Sequence, residues 1–159
     1  MSVNAFLDIE TTGLYSCFHK ITVVGLSFGD DPEVIQWVGD GITSCSLLQA
    51  LEPASTIYTY NGSRFDLPFL KACLGIDLRA MFEHRDLMLD CWQNSLYGGL
   101  KAVERRLGIP RRLKDIDGLD AVRLWNKYEK HSDHRALRVL LDYNKEDVLN
   151  LKALKGILL

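Results

Sequence analysis

The first residues that could do chemistry are two acidic side chains in the segment Phe6-Leu7-Asp8-Ile9-Glu10. Side chains alternate along a β-strand, so Asp8 and Glu10 would project from one face, about 6–7 Å apart along the strand. Such a pair repels itself unless a cation lies between the carboxylates, and hard ions such as Mg²⁺ prefer oxygen ligands. An isolated D-x-E pair is also typical of a solvated strand end, so the metal hypothesis needs further ligands.

A third acidic residue, Asp66, lies where a predicted strand passes through Asn61-Gly62 into a predicted helix. Ligands of open α/β sheets collect beyond the carboxyl ends of strands, where this junction and the end of the Asp8/Glu10 strand could both lie. Asp66 could instead be an ordinary helix cap, with Pro68 in the first turn. The local pattern leaves both roles open.

The last helix contributes Tyr143 and Asp147. Residues four apart share one face of a helix, so these two side chains would point the same way. Alone, they are equally a surface pair on an amphipathic helix.

The elements that must position these residues follow from periodicity and turn signals. Runs rich in β-branched and apolar residues predict strands over 3–9, 20–28, 33–38 and 56–60. The spacing of the first three strands predicts hairpins between them. Helical spacing and helix-ending Gly or Pro predict helices over 43–51, from 62 to about 75, over 100–107 and 120–130, and from 133 onward. This order indicates an α/β fold with a mixed sheet and helices packed on it. Periodicity does not separate a fifth strand from a helix start over 82–89.

Length and composition indicate one domain, residues 1–159, with 47% hydrophobic and 25% charged residues. The sequence has neither an apolar run of about 20 residues nor a signal-peptide pattern, so we expect a cytoplasmic protein without membrane association. The oligomeric state is left open. Cys17, Cys45, Cys73 and Cys91 are too scattered for a zinc site or a disulfide framework. The apolar neighbours of Cys73 and Cys91 predict core thiols.

Charge is distributed unevenly along the chain. Residues 1–70 hold 2 Lys/Arg and 8 Asp/Glu, a net charge of −6, whereas residues 71–159 hold 17 and 13, a net charge of +4. The densest basic tract comprises Lys101, Arg105, Arg106, Arg111, Arg112 and Lys114. It could bind phosphates electrostatically, or it could be a solvated helix face.

Together the acidic segments resemble a known family. Asp8-Ile9-Glu10-Thr11-Thr12-Gly13, then N-x3-F-D ending at Asp66, then Y-x3-D from Tyr143 to Asp147 resemble the DEDD superfamily of exonucleases. The Y-x3-D segment with Tyr143 resembles the tyrosine subclass of this superfamily. The histidine subclass would carry His where this chain has Asp142. Residues 99–109, 111–112, 116–118 and 141–147 resemble the YprB-like branch of predicted exonucleases.

The resemblance implies a ribonuclease H-like fold, with a five-stranded mixed sheet of three antiparallel and two parallel strands. It implies that Asp8, Glu10, Asp66 and Asp147 bind two divalent metal ions, Mg²⁺ or Mn²⁺, with Asp8 bridging both. Tyr143 would orient the attacking water, and these five residues form the predicted catalytic set. A phenol with an ordinary pKa near 10 is a better orienter than a general base.

Candidate substrate contacts are Thr11, Asn61, Phe65, Arg105 and Arg112. Asn61 could instead close the turn, and Phe65 could instead pack in the core. The resulting hypothesis is a 3′–5′ exonuclease acting on single-stranded DNA or RNA or on 3′ ends. One alternative is a nucleic-acid-binding module with little turnover, and another is a metal-binding or scaffold domain without a nucleic-acid role.

Overall fold

The computed structural model describes residues 3–159, which surround a five-stranded sheet. The strands are β1 (Val3–Thr11), β2 (Ile21–Phe28), β3 (Ile35–Val38), β4 (Ala54–Thr59) and β5 (Glu83–Asp86). Their order across the sheet is β3-β2-β1-β4-β5. β2 pairs antiparallel with both β1 and β3, whereas β4 pairs parallel with both β1 and β5. The predicted mixed sheet is therefore confirmed.

Seven α-helices flank the sheet within the described residues. They are α1 (Ser44–Leu51), α2 (Asp66–Leu74), α3 (Leu78–Met81), α4 (Leu87–Gln93), α5 (Leu100–Leu107), α6 (Gly118–His131) and α7 (His134–Leu158). A short 3-10 turn occupies Gly39–Gly41. The predicted helices are confirmed with shifts of a few residues at their ends. No helix within residues 3–159 combines the length and apolar character needed to cross a membrane.

The ambiguous segment from residue 82 to residue 89 contains both a strand and a helix. β5 is four residues long, and Asp86 at its end caps α4 by accepting a hydrogen bond from the Met88 N–H at 3.1 Å. Neither periodicity extends far enough to be recognised, because the strand passes into the helix without a linker.

The two faces of the sheet are covered by different helices. Ala5, Leu7 and Ile9 of β1 belong to an apolar core that includes residues of α1 and α2. The opposite face packs against α7, the element that also supplies Tyr143 and Asp147. Alternation along β1 thus directs Asp8 and Glu10 toward α7.

Gly25 lets α7 approach the sheet closely beside Asp8, its partner across the β1–β2 pair. A Cβ at position 25 would lie 2.3 Å from Asn144 Oδ1 and 2.9 Å from Val148 Cγ2, both on α7. A side chain here would therefore displace Asn144 and Val148 from their positions against β1 and β2.

Of the two cysteines predicted to be core thiols, Cys73 and Cys91, only one is buried. Cys91 is buried in the core, as predicted, whereas Cys73 is exposed in the last turn of α2. The prediction for Cys73 was wrong because apolar neighbours in the sequence do not specify which side of a helix a residue occupies.

Candidate active site

Three carboxylates converge where β1 meets α7. Oxygen atoms of Asp8, Glu10 and Asp147 all lie within 4.8 Å of one another. β1 supplies the first two from one face, as its alternation predicted, and α7 supplies the third. We call Asp8, Glu10 and Asp147 the acid cluster.

Asp66 is a fourth carboxylate beside the acid cluster. It is the first residue of α2 and is only 3% exposed. Its Oδ2 accepts a hydrogen bond of 3.0 Å from the N–H of Ile9, the residue between Asp8 and Glu10. Phe65 occupies the N-cap position of α2, so Asp66 does not serve as the ordinary cap.

The acid cluster is electrostatically strained without a cation. Burial, followed by the charge of Asp147, raises the pKa values of Asp8 and Glu10 well above their usual range. Burial raises the pKa of Asp66 to about 7, and it raises the pKa of Asp147 to about 6 against the opposing effect of Arg111. A convergent set of desolvated carboxylate oxygens is the donor set that a hard divalent cation prefers. The residues present therefore fit a divalent metal ion.

Arg111 holds Asp147 through a buried ion-pair network. Its Nε and Nη2 donate to Glu104 Oε2 and Oε1, each at 2.7 Å, and Nη2 also donates to Asp147 Oδ1. The side chains of Arg111 and Glu104 are 4% and 2% exposed. Asn150 adds a hydrogen bond of 3.0 Å to Glu104. Arg111 is therefore a buried partner of Asp147, which corrects its assignment to an exposed basic tract.

Asn144, which lies on α7 three residues before Asp147, holds Asp8 in place. Its Nδ2 donates to the main-chain oxygen of Asp8 at 3.1 Å and to Asp8 Oδ2 at 3.0 Å. Its Oδ1 accepts from Gln36 Nε2 on β3 at 2.9 Å. Asn144 was missed in the sequence, although an amide within the apolar stripe of the last helix is a signal that could have identified it.

Tyr143 lies one helical turn before Asp147 and is 6% exposed, so it is not a surface residue. Burial and the charges of Asp147, Glu10 and Asp8 raise its phenol pKa. Its hydroxyl therefore stays protonated near neutral pH, as a hydrogen-bonding orienter requires. The Lys101 ammonium lies 4.9 Å from the centre of the Tyr143 ring.

Asp86 organises the loop that precedes Asp66 and was also missed in the sequence. It accepts hydrogen bonds from the N–H groups of Asn61 and Ser63, at 2.8 and 3.1 Å, and from the Ser63 hydroxyl. Asn61 has φ = 60°, as a tight turn requires. The backbone of Asn61 therefore has the conformation that the turn-closing interpretation predicted.

The other candidate substrate contacts make local interactions. The Thr11 hydroxyl donates to the Gly13 carbonyl at 2.6 Å, and the Phe65 ring packs 5.0 Å from that of Phe69. The backbone N–H of Arg112 donates to Glu146 Oε2 at 2.7 Å, while its side chain is exposed, like that of Arg105. The structure thus brings together the predicted catalytic residues Asp8, Glu10, Asp147, Asp66 and Tyr143. For Thr11, Phe65, Arg105 and Arg112 it shows only local contacts or exposed side chains.

A family model of the RNase_H superfamily matches residues 5–159. The chain belongs to the RNase_H superfamily. This membership and the strand order confirm the ribonuclease H-like fold predicted from the sequence.

Similar proteins extend across most of the chain. The uncharacterized protein MJ0365 of Methanocaldococcus jannaschii is 28% identical over 163 residues, which cover 91% of this chain and 88% of that protein. Among solved structures, Brucella melitensis NrnC with bound Mg²⁺ has a TM-score of 0.66 and 24% identity, over 98% of this chain and 71% of NrnC. NrnC bound to pGG has a TM-score of 0.70 and 23% identity over the same shares of the two chains.

A domain-sized part of a larger enzyme has the same fold. The family B DNA polymerase of the archaeon Pyrobaculum calidifontis matches with a TM-score of 0.69 and 16% identity. The match covers 95% of this chain but 24% of the polymerase, so the chain spans about a quarter of that protein's length. At these identities the solved structures establish a shared fold.

Proposed function

We propose that this RNase_H superfamily member is a metal-dependent 3′–5′ exonuclease of the DEDD tyrosine subclass and the YprB-like branch. Its substrate would be single-stranded DNA or RNA, cleaved at phosphodiester bonds. The observation that carries the proposal is the convergence of Asp8, Glu10 and Asp147 within 4.8 Å, with Asp66 hydrogen-bonded to the intervening Ile9. NrnC, which has the same fold, has been solved with Mg²⁺ and with pGG.

Asp8, Glu10, Asp66 and Asp147 would hold two divalent cations, Mg²⁺ or Mn²⁺. When bound, such ions lower the pKa of an attacking water and stabilise charge on the attacking and leaving oxygens. The protein's own contribution is positional, because Asn144 holds Asp8, Arg111 holds Asp147, and the Ile9 N–H holds Asp66. Three of the four carboxylates are thereby fixed before the ions and the substrate arrive, which reduces the cost of organising the site.

Tyr143 would orient the attacking water through its hydroxyl. Its raised pKa leaves the phenol protonated, so a hydrogen-bonding role agrees with its surroundings better than proton abstraction does. For Tyr143→Phe we expect a large drop in turnover with Mn²⁺ affinity retained, measured by kinetics and calorimetry on the same protein. Unchanged turnover would remove Tyr143 from the mechanism.

The direct test is degradation of single strands labelled at the 5′ end. Stepwise shortening in Mg²⁺ or Mn²⁺, stopped by EDTA, would show removal of nucleotides from the 3′ end. Parallel single- and double-stranded DNA and RNA substrates would identify the preferred sugar and strand state.

Matched variants distinguish the proposed site from a contaminating nuclease. We expect Asp8→Ala and Asp147→Ala to abolish shortening, whereas Asp142→Ala removes an exposed acid of the same helix and leaves shortening intact. Equal degradation by wild type and Asp8→Ala would sink the assignment. Salt-sensitive binding without any shortening would favour the alternative of a binding module with little turnover.

A further inference from the structure

A cavity of about 300 Å³ lies beside α5, outside the predicted set of metal ligands. Its basic lining residues are Lys101, Arg105, Arg111 and Lys114. Glu104 is its one acidic lining residue, and both Glu104 oxygens already accept hydrogen bonds from Arg111. We call this feature the basic cavity. Its lining carries a formal charge of +3.

Three of the cavity's four cations form no ion pair within the described residues. The ion pairs formed within residues 3–159 include Arg111 but not Lys101, Arg105 or Lys114. Burial, followed by the nearby Arg111, lowers the pKa of the half-buried Lys101 against the opposing charges of Asp147, Asp117 and Glu104. The cavity therefore favours an anionic ligand.

A buried polar atom of Arg111 is also unsatisfied. Nε and Nη2 are occupied by Glu104 and Asp147, but the buried Nη1 has no hydrogen-bond partner within the described part of the chain. A buried donor without an acceptor costs about 1–3 kcal/mol, so such groups usually have an explanation. Arg111 also lines the cavity, so an oxygen-rich anion bound there would lie beside a guanidinium with an unused donor.

The basic cavity adjoins the acid cluster. Arg111 links the two, since it lines the cavity and donates to Asp147. Lys101 lines the cavity and lies over the ring of Tyr143. A strand whose end lies at the acid cluster therefore has a cationic site within reach of a neighbouring linkage.

We propose that the basic cavity is a discrete subsite for one internucleotide phosphate of the substrate, bound by Lys101, Arg105 and Lys114 beside Arg111. Its volume is at the small end of ligand pockets, which suits one phosphate with part of its sugar. Gly108, Ile109 and Pro110 supply an uncharged wall for that sugar. The subsite holds the strand by its backbone and is indifferent to base identity. The assignment rests on the proposed nuclease function, since it takes the same strand as ligand.

The test compares two double variants that remove the same charge. Arg105→Gln/Lys114→Gln removes two exposed cations from the cavity lining, whereas Arg106→Gln/Lys145→Gln removes two exposed cations outside it. Binding of a fluorescent single-stranded DNA oligonucleotide is measured by anisotropy across a salt series in EDTA. Shortening in Mg²⁺ and Mn²⁺ is measured in parallel, with Mn²⁺ affinity by calorimetry.

We expect the cavity variant to bind DNA at least about tenfold more weakly, because each charged hydrogen bond contributes on that scale. The slope of its log affinity against log salt concentration should become shallower by about one for each phosphate that it no longer binds. Mn²⁺ affinity should stay unchanged in both double variants. Equal losses, or no loss, in the two double variants while wild type still shortens DNA would overturn the subsite and leave the nuclease standing. Wild type that neither binds nor shortens DNA, and also leaves the parallel RNA substrates intact, would overturn both.

Neutral linkages test whether the subsite is discrete. Each oligonucleotide of a series carries one methylphosphonate in place of a different phosphate. Wild type should bind most weakly when one particular linkage is replaced, and the other replacements should matter less. The cavity variant should lose that dependence on position, while the Arg106→Gln/Lys145→Gln control keeps it. Equal sensitivity at every linkage in wild type would mean diffuse attraction and would overturn the proposal.

Discussion

The two faces of β1 do opposite things to the stability of this protein. On one face Ala5, Leu7 and Ile9 are packed in an apolar core. On the other face Asp8 and Glu10 lie close to Asp147, and burial makes their ionised forms costly. The same strand therefore supplies favourable burial to one side and unfavourable charge to the other.

The contrast shows how a site of like charges can be built into a stable fold. The apolar face anchors the strand, so its opposite face can hold carboxylates in a fixed position before any cation arrives. Arg111 partly compensates the charge of Asp147, and Glu104 in turn compensates Arg111. Substitutions on the two faces should therefore change the free energy of unfolding in opposite directions, and only those on the charged face should alter the effect of metal.

The largest effect should come from removing the buried compensating charge. Arg111→Met leaves Glu104 buried and unpaired, which should lower the free energy of unfolding by about 3–5 kcal/mol. Chemical denaturation in EDTA would measure it. The neighbouring exposed Arg112→Met should change stability by less than about 0.5 kcal/mol. Similar small changes for both would mean that the ion-pair network is not structural.

The apolar face should respond almost as strongly, without involving metal. Leu7 is 0% exposed, so Leu7→Ala should cost about 2–5 kcal/mol. Leu119→Ala, which removes the same atoms from a site that is 59% exposed, serves as the control. Calorimetric Mn²⁺ titration of Leu7→Ala below its unfolding temperature should give an affinity close to that of wild type. A large loss of affinity would mean that the two faces are not separable.

The charged face should respond in the opposite direction. Asp8→Asn keeps an oxygen for the Asn144 hydrogen bond but removes a repelling charge, so it should raise the Tm of the metal-free protein near neutral pH. For a chain of this size each kcal/mol corresponds to about 2–4 °C. Stabilisation by Mn²⁺ should be lost at the same time. A lower metal-free Tm than that of the exposed control Asp142→Asn would contradict the assigned repulsion.

The most gradual effect should be a slope of stability against pH. The folded-state pKa values of Asp66 and Asp147, about 7 and about 6, lie above the ordinary value near 4. Protonation therefore favours the folded state, so this contribution is full below about pH 4 and is lost as pH rises through about 6 to 7. In EDTA, denaturation midpoints should fall across this window. Asp66→Asn should flatten the slope, and Mn²⁺, which binds ionised carboxylates, should offset it. An unchanged slope in Asp66→Asn would exclude Asp66 as its source.

Regular periodicity made much of the fold predictable from the sequence. Alternation in β1 placed Asp8 and Glu10 on one face of the strand, and the four-residue spacing in α7 placed Tyr143 and Asp147 on one face of the helix. The spacing of these residues also supported the family resemblance, which supplied the metal-binding role of Asp66 and the five-stranded arrangement of the sheet.

The supporting contacts could not be predicted because they join segments without a shared periodicity. Arg111 follows α5 in a basic tract, and only the folded chain shows that it is enclosed between Glu104 and Asp147. Asp86 lies between a four-residue strand and a helix, where neither pattern is long enough to read. Such residues are positioned by packing of the whole chain, which local patterns do not encode.

The hydrogen bond between Asn144 and Asp8 joins residues 136 positions apart. During synthesis, the N-terminal parts of a chain can begin to fold before later parts exist. β1 can therefore pair with β2 on the ribosome, but the acid cluster cannot assemble until α7 has been made. Until then, a nascent chain would carry the carboxylates of β1 without Asp147, the third member of the acid cluster.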